Sequence, residues 1–177
     1  MMVGKYVYGE WLIPLVDYFS TVKRKEIVYE IVIPIIIALI GTIIYLKMGY
    51  ALKALIKLRD ILPTVLAILI GFSISSITIL IASNNKNIEA LKGMSTEGRI
   101  IAGKQINIYQ WILLMFIYTL LIEIFLLIFI FFSSFFIQIV YFNILASFFL
   151  FMEVIFLIHI LLVLIRNITH LYFVLYK

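Results

Sequence analysis

Two glutamates near the middle of long apolar runs have the greatest capacity for chemistry in this chain. Neither Glu123 nor Glu153 has a basic residue within its own run. A carboxylate at the centre of a bilayer costs about 2.5–3.5 kcal/mol on insertion scales, so such a residue is rarely kept without a partner or a function. His159 follows Glu153 by six residues. It could pair with a carboxylate or with Tyr118. Glu123, Glu153 and His159 together form a predicted intramembrane polar site.

The spacing of the two glutamates predicts that they lie at matching depth. Each is fifteen residues from Gln138, at the centre of the short hairpin between the runs. If their faces meet, the two carboxyl groups would share a proton. A protonated glutamate hydrogen-bonded to a neighbouring helix is the favoured interpretation, and a proton or ion pathway is the second. A catalytic dyad ranks last because no nucleophile or oxyanion hole accompanies it.

The same residues do not predict a metal centre. Glu123, Glu153 and His159 are conceivable ligands, but the chain lacks the spacings typical of metal sites, and its other histidine, His170, lies in the tail. Without cysteine it has no iron–sulfur ligands and no thiol nucleophile. We therefore expect no metal, no cofactor and no catalytic residue.

Composition predicts an all-α integral membrane protein. Of the 177 residues, 66% are hydrophobic and only 13% are charged, whereas soluble domains average about 25% charged residues. Four segments approach the roughly 20 apolar residues that a spanning helix needs. They are residues 27–46, 61–82, 108–132 and 144–165. The prolines of the first two, Pro34 and Pro63, are expected within the first helical turns.

The distribution of lysine and arginine predicts that both termini are cytoplasmic. On that topology the cytoplasmic side carries ten basic residues and the other side four, all four of them in the loop 47–60. Residues 1–26 are expected to form an N-terminal arm, in which Trp11 to Phe19 lies as an interfacial helix. Residues 27–177 form the membrane domain. The net charge of +5 suits anionic lipids of a bacterial inner membrane and requires no nucleic acid.

A strip of small residues runs along one face of the second span. Its members recur three or four residues apart and are Ala67, Gly71, Ser75, Thr78 and Ala82. Such strips let helices approach closely in lipid. The strip predicts a helix-packing seam, either inside one protomer or between protomers of a homo-oligomer. A narrow path lined by the hydroxyl groups of this span is the less favoured alternative.

The loop 83–107 is the largest predicted cytoplasmic element. It should contain a short helix around Ile88 to Lys92 that ends at Gly93, and it is too small to form an enzyme domain. Its cations mark it as a possible contact for a cytosolic protein. They are Lys86, Lys92, Arg99 and Lys104.

One segment resembles a known group of proteins. The stretch GFSISSITILIASNNKNIEALK, from Gly71 to Lys92, resembles the small four-span membrane subunits of bacterial anti-phage defence systems of the Kiwa type. The resemblance covers about an eighth of the chain and carries over no site residue. It implies a membrane subunit that acts beside a cytosolic partner.

The sequence thus predicts a non-enzymatic, oligomeric membrane sensor or effector subunit, with anti-phage defence as its setting. The first alternative is an ion or proton channel, or a holin-like pore, that uses Glu123 and Glu153. The second alternative is a membrane anchor whose 83–107 loop binds a soluble enzyme.

Overall fold

Four long helices dominate the structure, a computed structural model that describes residues 9–83, 86–139 and 143–176, with all side chains except those of 138–139 and 173–176. A single helical turn, Glu10–Leu12, leads into the first helix. The elements in chain order are α1 (Ile13–Thr21), α2 (Arg24–Lys47), α3 (Ala51–Ala82), α4 (Lys86–Gly93), β1 (Ser95–Ile101), β2 (Lys104–Asn107), α5 (Ile108–Ile139) and α6 (Asn143–Tyr176). Helices α2, α3, α5 and α6 are long and apolar enough to cross a membrane, which confirms the prediction of four spans.

Helix α6 is the centre of the bundle. It packs against α2, α3 and α5, and α3 and α5 also pack against each other. The core between these helices is almost wholly apolar, and its fully buried side chains include Leu62, Leu66, Met115, Phe116, Leu126, Ile160 and Val163. Helix α2 is peripheral because only a narrow stripe, repeating every four residues, is buried against the bundle. The stripe consists of Glu30, Pro34, Ala38 and Thr42.

Three of the long helices extend well beyond the predicted apolar segments. Helix α3 begins at Ala51 rather than at residue 61, so Arg59 lies on the helix and not in a loop. Helix α5 continues to Ile139 and α6 to Tyr176. An apolar run shows only how much of a helix suits the hydrocarbon of a bilayer, and the helix itself can be longer. The Ala, Leu, Lys and Arg residues before residue 61 are all strong helix formers, so the helix extends through them. Pro63 consequently lies inside α3 and not in its first turn.

The strip of small residues on α3 points away from the bundle. All five members, Ala67, Gly71, Ser75, Thr78 and Ala82, are exposed, whereas Leu66, Ser73 and Leu80 on the opposite face are buried. A methyl group built on Gly71 would meet no atom within 4 Å. A seam inside the protomer is therefore excluded, which leaves the strip facing lipid or another copy.

The segment 83–107 contains the predicted helix and also a β-hairpin that the all-α prediction missed. Strands β1 and β2 pair antiparallel around a two-residue turn at Ala102 and Gly103, both of which have positive φ. That is the geometry of the turns that suit tight hairpins. Ile106 of the hairpin and Leu91 of α4 are buried in the same core cluster as Trp111. The segment is thus folded against the end of the bundle.

Helix α1 has one exposed apolar face and one face buried on the protein. Trp11, just before it, and Val16 and Phe19 within it are more than half exposed. Tyr18 is completely buried. The helix contacts α5 and β1, so it is held against the bundle as well as presenting an apolar surface.

Candidate functional site

Glu153 has a cationic partner that comes from a different helix. Arg59 of α3 places its Nε 2.9 Å and its Nη2 2.5 Å from Glu153 Oε1, and the glutamate is fully buried. The same guanidinium donates to the hydroxyl groups of Ser133 and Ser134 on α5. These four residues lie toward the end of the bundle where α5 and α6 are joined. The apolar run of Glu153 holds no basic residue, and the cation that pairs with it comes from α3.

Glu123 lies in a separate place and has a neutral partner. The hydroxyl of Ser73 on α3 donates to Glu123 Oε1 at 3.1 Å, and both side chains are completely buried. The second carboxyl oxygen, Oε2, is buried without a hydrogen-bond partner. Among the described residues no cation forms an ion pair with Glu123. Glu123 is therefore a buried carboxyl group without a counter-ion in the described part of the chain.

The two glutamates do not form the shared-proton site that matching depth predicted. Glu123 precedes the end of α5 by sixteen residues, whereas Glu153 follows the start of α6 by ten. A difference of six residues at about 1.5 Å each separates them by roughly 9 Å along the bundle. Their hydrogen bonds also point to different neighbours, Ser73 and Arg59.

His159 belongs to a third group and lies six residues beyond Glu153, near the middle of α6. Its Nδ1 lies 2.6 Å from the backbone carbonyl oxygen of Glu30, and its Nε2 lies 2.7 Å from the hydroxyl of Tyr118. Because a carbonyl oxygen only accepts, Nδ1 carries the hydrogen and Nε2 accepts from Tyr118. Of the two predicted partners of His159, the structure selects Tyr118.

A local change in helix type makes the Glu30 carbonyl available. Residues Val28–Val32 form a π-helical turn inside α2, and Pro34 follows Glu30 by four residues. Proline has no N–H, so the normal i to i−4 hydrogen bond to Glu30 cannot form. π-Helical turns are often found at functional sites. Here the vacant carbonyl accepts from His159 instead.

The side chain of Glu30 is equally well engaged. The hydroxyl of Tyr18 donates to its Oε2 at 2.6 Å, and the Tyr18 ring stacks on that of Tyr118 with 3.6 Å between centroids. Burial raises the pKa of Tyr18 above its ordinary value, and its hydrogen bond to Glu30 raises it further. Tyr18 therefore remains a protonated donor, and it joins α1 to both α2 and α5.

Four charged side chains form what we call the ionic chain, in the order Arg99, Glu26, Arg166 and Glu30. Arg99 Nη2 lies 2.5 Å from Glu26 Oε1, Arg166 Nη1 lies 3.4 Å from Glu26 Oε2, and Arg166 Nε lies 2.8 Å from Glu30 Oε1. The chain alternates in sign and is neutral overall, which limits the cost of burying its members. The Trp111 ring lies 4.0 Å from the Arg99 guanidinium and 5.7 Å from that of Arg166.

The ionic chain corrects the prediction for Arg99. This residue is only 7% exposed, and it donates to the backbone carbonyl of Thr21 as well as to Glu26. It is therefore part of the packing between the hairpin and the N-terminal arm, and it is not free to bind a partner. The other three cations of the segment, Lys86, Lys92 and Lys104, are exposed.

Sequence reasoning missed Arg59, Glu30 and Arg166 as site residues. No local pattern in the sequence marks these three residues as a site, because their partners lie on other helices.

These polar groups do not compose a metal centre. Within residues 9–83, 86–139 and 143–176, no three His, Cys, Asp or Glu side chains are close enough together to hold a metal ion. Hydrogen bonds and ion pairs between helices are what the arrangement provides.

Four helices of this length and apolar composition are what a multi-pass helical membrane protein requires. No protein-family model matches the chain, and neither a curated protein nor a solved structure shows significant similarity to it.

Proposed function

We propose that this protein is a non-enzymatic membrane sensor or effector subunit that transmits a signal between its spanning helices and a cytosolic protein bound at residues 86–107. The ionic chain is the observation that carries the proposal. It links Arg99 on the hairpin to Arg166 on α6 and Glu30 on α2 through consecutive ion pairs. A displacement of the hairpin would therefore alter the charge environment of two spanning helices.

The exposed cations of the segment supply a surface for the cytosolic partner. Lys86, Lys92 and Lys104 are exposed and lie on α4 and the hairpin, and Arg99 connects the hairpin to the bundle. An acidic patch on the partner would be electrostatically complementary to them. This arrangement includes the membrane-anchor alternative, since an anchored enzyme would bind the same surface.

We propose an orientation with both termini in the cytoplasm of a bacterial cell. The counts of lysine and arginine support it. The ion pair of Arg59 with Glu153 removes part of the difficulty posed by four cations in the external segment, because Arg59 is a bundle residue. The exposed strip on α3 supports assembly into a homo-oligomer through that face.

The resemblance of Gly71 to Lys92 to four-span defence subunits supports anti-phage defence as the setting. We expect that, in a bacterium carrying the gene with its native neighbours, Arg99→Gln raises the efficiency of phage plating by about tenfold or more, as losing a coupling of 1–3 kcal/mol would produce. The plating assay is paired with immunoblots of the membrane fraction to show equal abundance.

Lys104→Leu and Glu97→Gln make this result specific. Lys104→Leu removes a surface cation and should weaken protection through the partner, while Glu97→Gln, an exposed change on the same hairpin, should leave it intact. Failure of the wild-type genes to protect against any phage would contradict the defence setting. Full protection by abundant Arg99→Gln protein would contradict transmission through the ionic chain.

A proton pathway is the second candidate function, and Glu123 is the observation that favours it. Its Oε2 atom is buried without a partner, and the group lies midway along a spanning helix. Intramembrane carboxyl groups without a counter-ion recur in proton pathways. Glu153 does not contribute to this candidate, because Arg59 neutralises it.

Proton flux in reconstituted vesicles tests this second candidate. If Glu123 carries protons, Glu123→Gln should reduce acidification driven by a potassium diffusion potential to the level of empty vesicles. Ser73→Ala should change the rate without abolishing it, because it leaves the carboxyl group in place. Flux that is absent in the wild type, or unchanged in Glu123→Gln, would refute the pathway.

A further inference from the structure

A cavity of about 280 Å³ lies where α1 crosses the bundle, between the π-helical turn of α2, α5 and α6. Its walls are mainly hydrocarbon and are formed by Leu15, Phe19, Ile31, Ile122, Ile155 and Phe156. Glu30, Tyr118 and His159 border it. The size approaches that of small-molecule sites, which are usually apolar clefts of roughly 300 Å³ or more.

The polar residues at the border are not available to a ligand. Glu30 is engaged by Tyr18 and Arg166, and Tyr118 and His159 are hydrogen-bonded to each other. A ligand with a buried hydroxyl or charged group would have to compete with these contacts and would lose its own hydration. The cavity therefore selects a hydrocarbon group.

The position of the cavity identifies the source of that hydrocarbon. Ile31, Ile122 and Phe156 lie within helices long and apolar enough to span the membrane. Phe19, at the rim, is 55% exposed on the outside of the bundle. The bilayer interior is the medium that meets this face, and its acyl chains are flexible enough to enter an open cleft.

The charge next to the cavity indicates which lipid would supply the chain. Lys23, Arg24 and Lys25 are all exposed and begin four residues after Phe19, just beyond the end of α1. Basic clusters beside spanning helices attract anionic headgroups, with each cation contributing about 1 kcal/mol, or about fivefold in affinity.

We propose that this cavity binds one acyl chain of an anionic phospholipid whose headgroup pairs with Lys23, Arg24 and Lys25. The site stands on the cavity and its charge, and it does not depend on the proposed function. A chain in the cavity contacts Leu15 and Phe19, so its arrival or loss moves α1. That movement reaches Glu30 through Tyr18, which lies on the same helix.

Photolabelling in vesicles of phosphatidylethanolamine and phosphatidylglycerol tests the cavity. The probe is phosphatidylglycerol with a diazirine in the middle of one acyl chain, and adducts are located by mass spectrometry of peptides. We expect adducts on the segments around Ile122 and Ile155 to exceed those around Ile40, an exposed residue of α2, several-fold. Equal labelling of the three segments would overturn the proposal.

Variants that fill the cavity make the test specific. Ile122→Trp should reduce labelling of the cavity segments several-fold, and Ile155→Phe serves the same purpose if the first variant is not folded. Ile40→Trp on the exposed face of α2 is the matched control and should change nothing. Undiminished labelling in a folded, filled variant, or cross-linked protein dimers in place of lipid adducts, would refute the acyl-chain site.

The headgroup is tested with a phosphatidylcholine probe of identical chain. We expect the anionic probe to label the cavity about fivefold or more above the zwitterionic one. Replacing Lys23, Arg24 and Lys25 with glutamine should remove that preference, whereas replacing Lys53 and Lys57 at the other end of the bundle should not. Equal labelling by the two probes in the wild type would overturn selection by charge.

Discussion

Replacing Arg59 with methionine is expected to destabilise the folded protein by about 3–5 kcal/mol, because it leaves the buried charge of Glu153 uncompensated. The guanidinium also holds the hydroxyl groups of Ser133 and Ser134, which lose a donor at the same time. The free energy of unfolding can be measured in detergent micelles or bicelles by denaturant titration. The matched control is Lys57→Met, which removes an exposed cation from the same helix and should change stability by less than about 0.5 kcal/mol.

The double replacement Arg59→Met with Glu153→Met separates the ion pair from general packing. Buried ion pairs replaced by apolar groups of similar volume are often neutral in their effect. We therefore expect the double variant to recover most of the stability lost in Arg59→Met. A loss of stability in the double variant equal to the sum of the losses in Arg59→Met and Glu153→Met would contradict a direct pair between these side chains.

Replacing Arg166 with methionine is expected to have the second large effect, again about 3–5 kcal/mol, since Glu30 is fully buried and Arg166 is its cationic partner. Glu26 is affected less, because Arg99 still binds it. Hydrogen exchange followed by mass spectrometry should show faster exchange at the start of α2 and in α1, where Tyr18 contacts Glu30.

Arg99→Met is the comparison that distinguishes the bundle from the hairpin. Arg99 pairs with Glu26 and a backbone carbonyl outside the core of the bundle. Its loss should cost about 1.5–3 kcal/mol, the range for hydrogen bonds to charged groups. Faster exchange should then be confined to β1, β2 and the turn before α2. The same exchange pattern in Arg99→Met and Arg166→Met would show that the ionic chain opens as a single unit.

The four spanning helices could be predicted from sequence because the physics that defines them is local. Each requires a run of apolar residues of bilayer length, and such a run is visible without any knowledge of the fold. The ends of the helices were predicted poorly for a related reason. The segment before residue 61 has low hydropathy, but its residues from Ala51 onward still have a high tendency to form a helix.

The partners of the buried charges could not be predicted, because they are a property of packing between distant segments. Arg59 is 94 residues from Glu153, and Arg166 is 136 residues from Glu30. Equal distance from a hairpin fixed neither the rotation nor the true depth of Glu123 and Glu153. The hydroxyl groups of the second span were visible in the sequence, but the hydrogen bond of Ser73 to Glu123 depends on which face of α3 turns toward α5.

The ion pair between Glu30 and Arg166 also has a consequence for biosynthesis. The glutamate is on α2, the first of the four long helices in chain order, and the arginine is on α6, 136 residues later. At synthesis rates of about 5–20 residues per second, Glu30 waits roughly 7–27 s for its counter-ion. During that interval α2 cannot adopt its final position in the bundle. The insertion machinery or the aqueous interface must accommodate Glu30 until α6 has been synthesised.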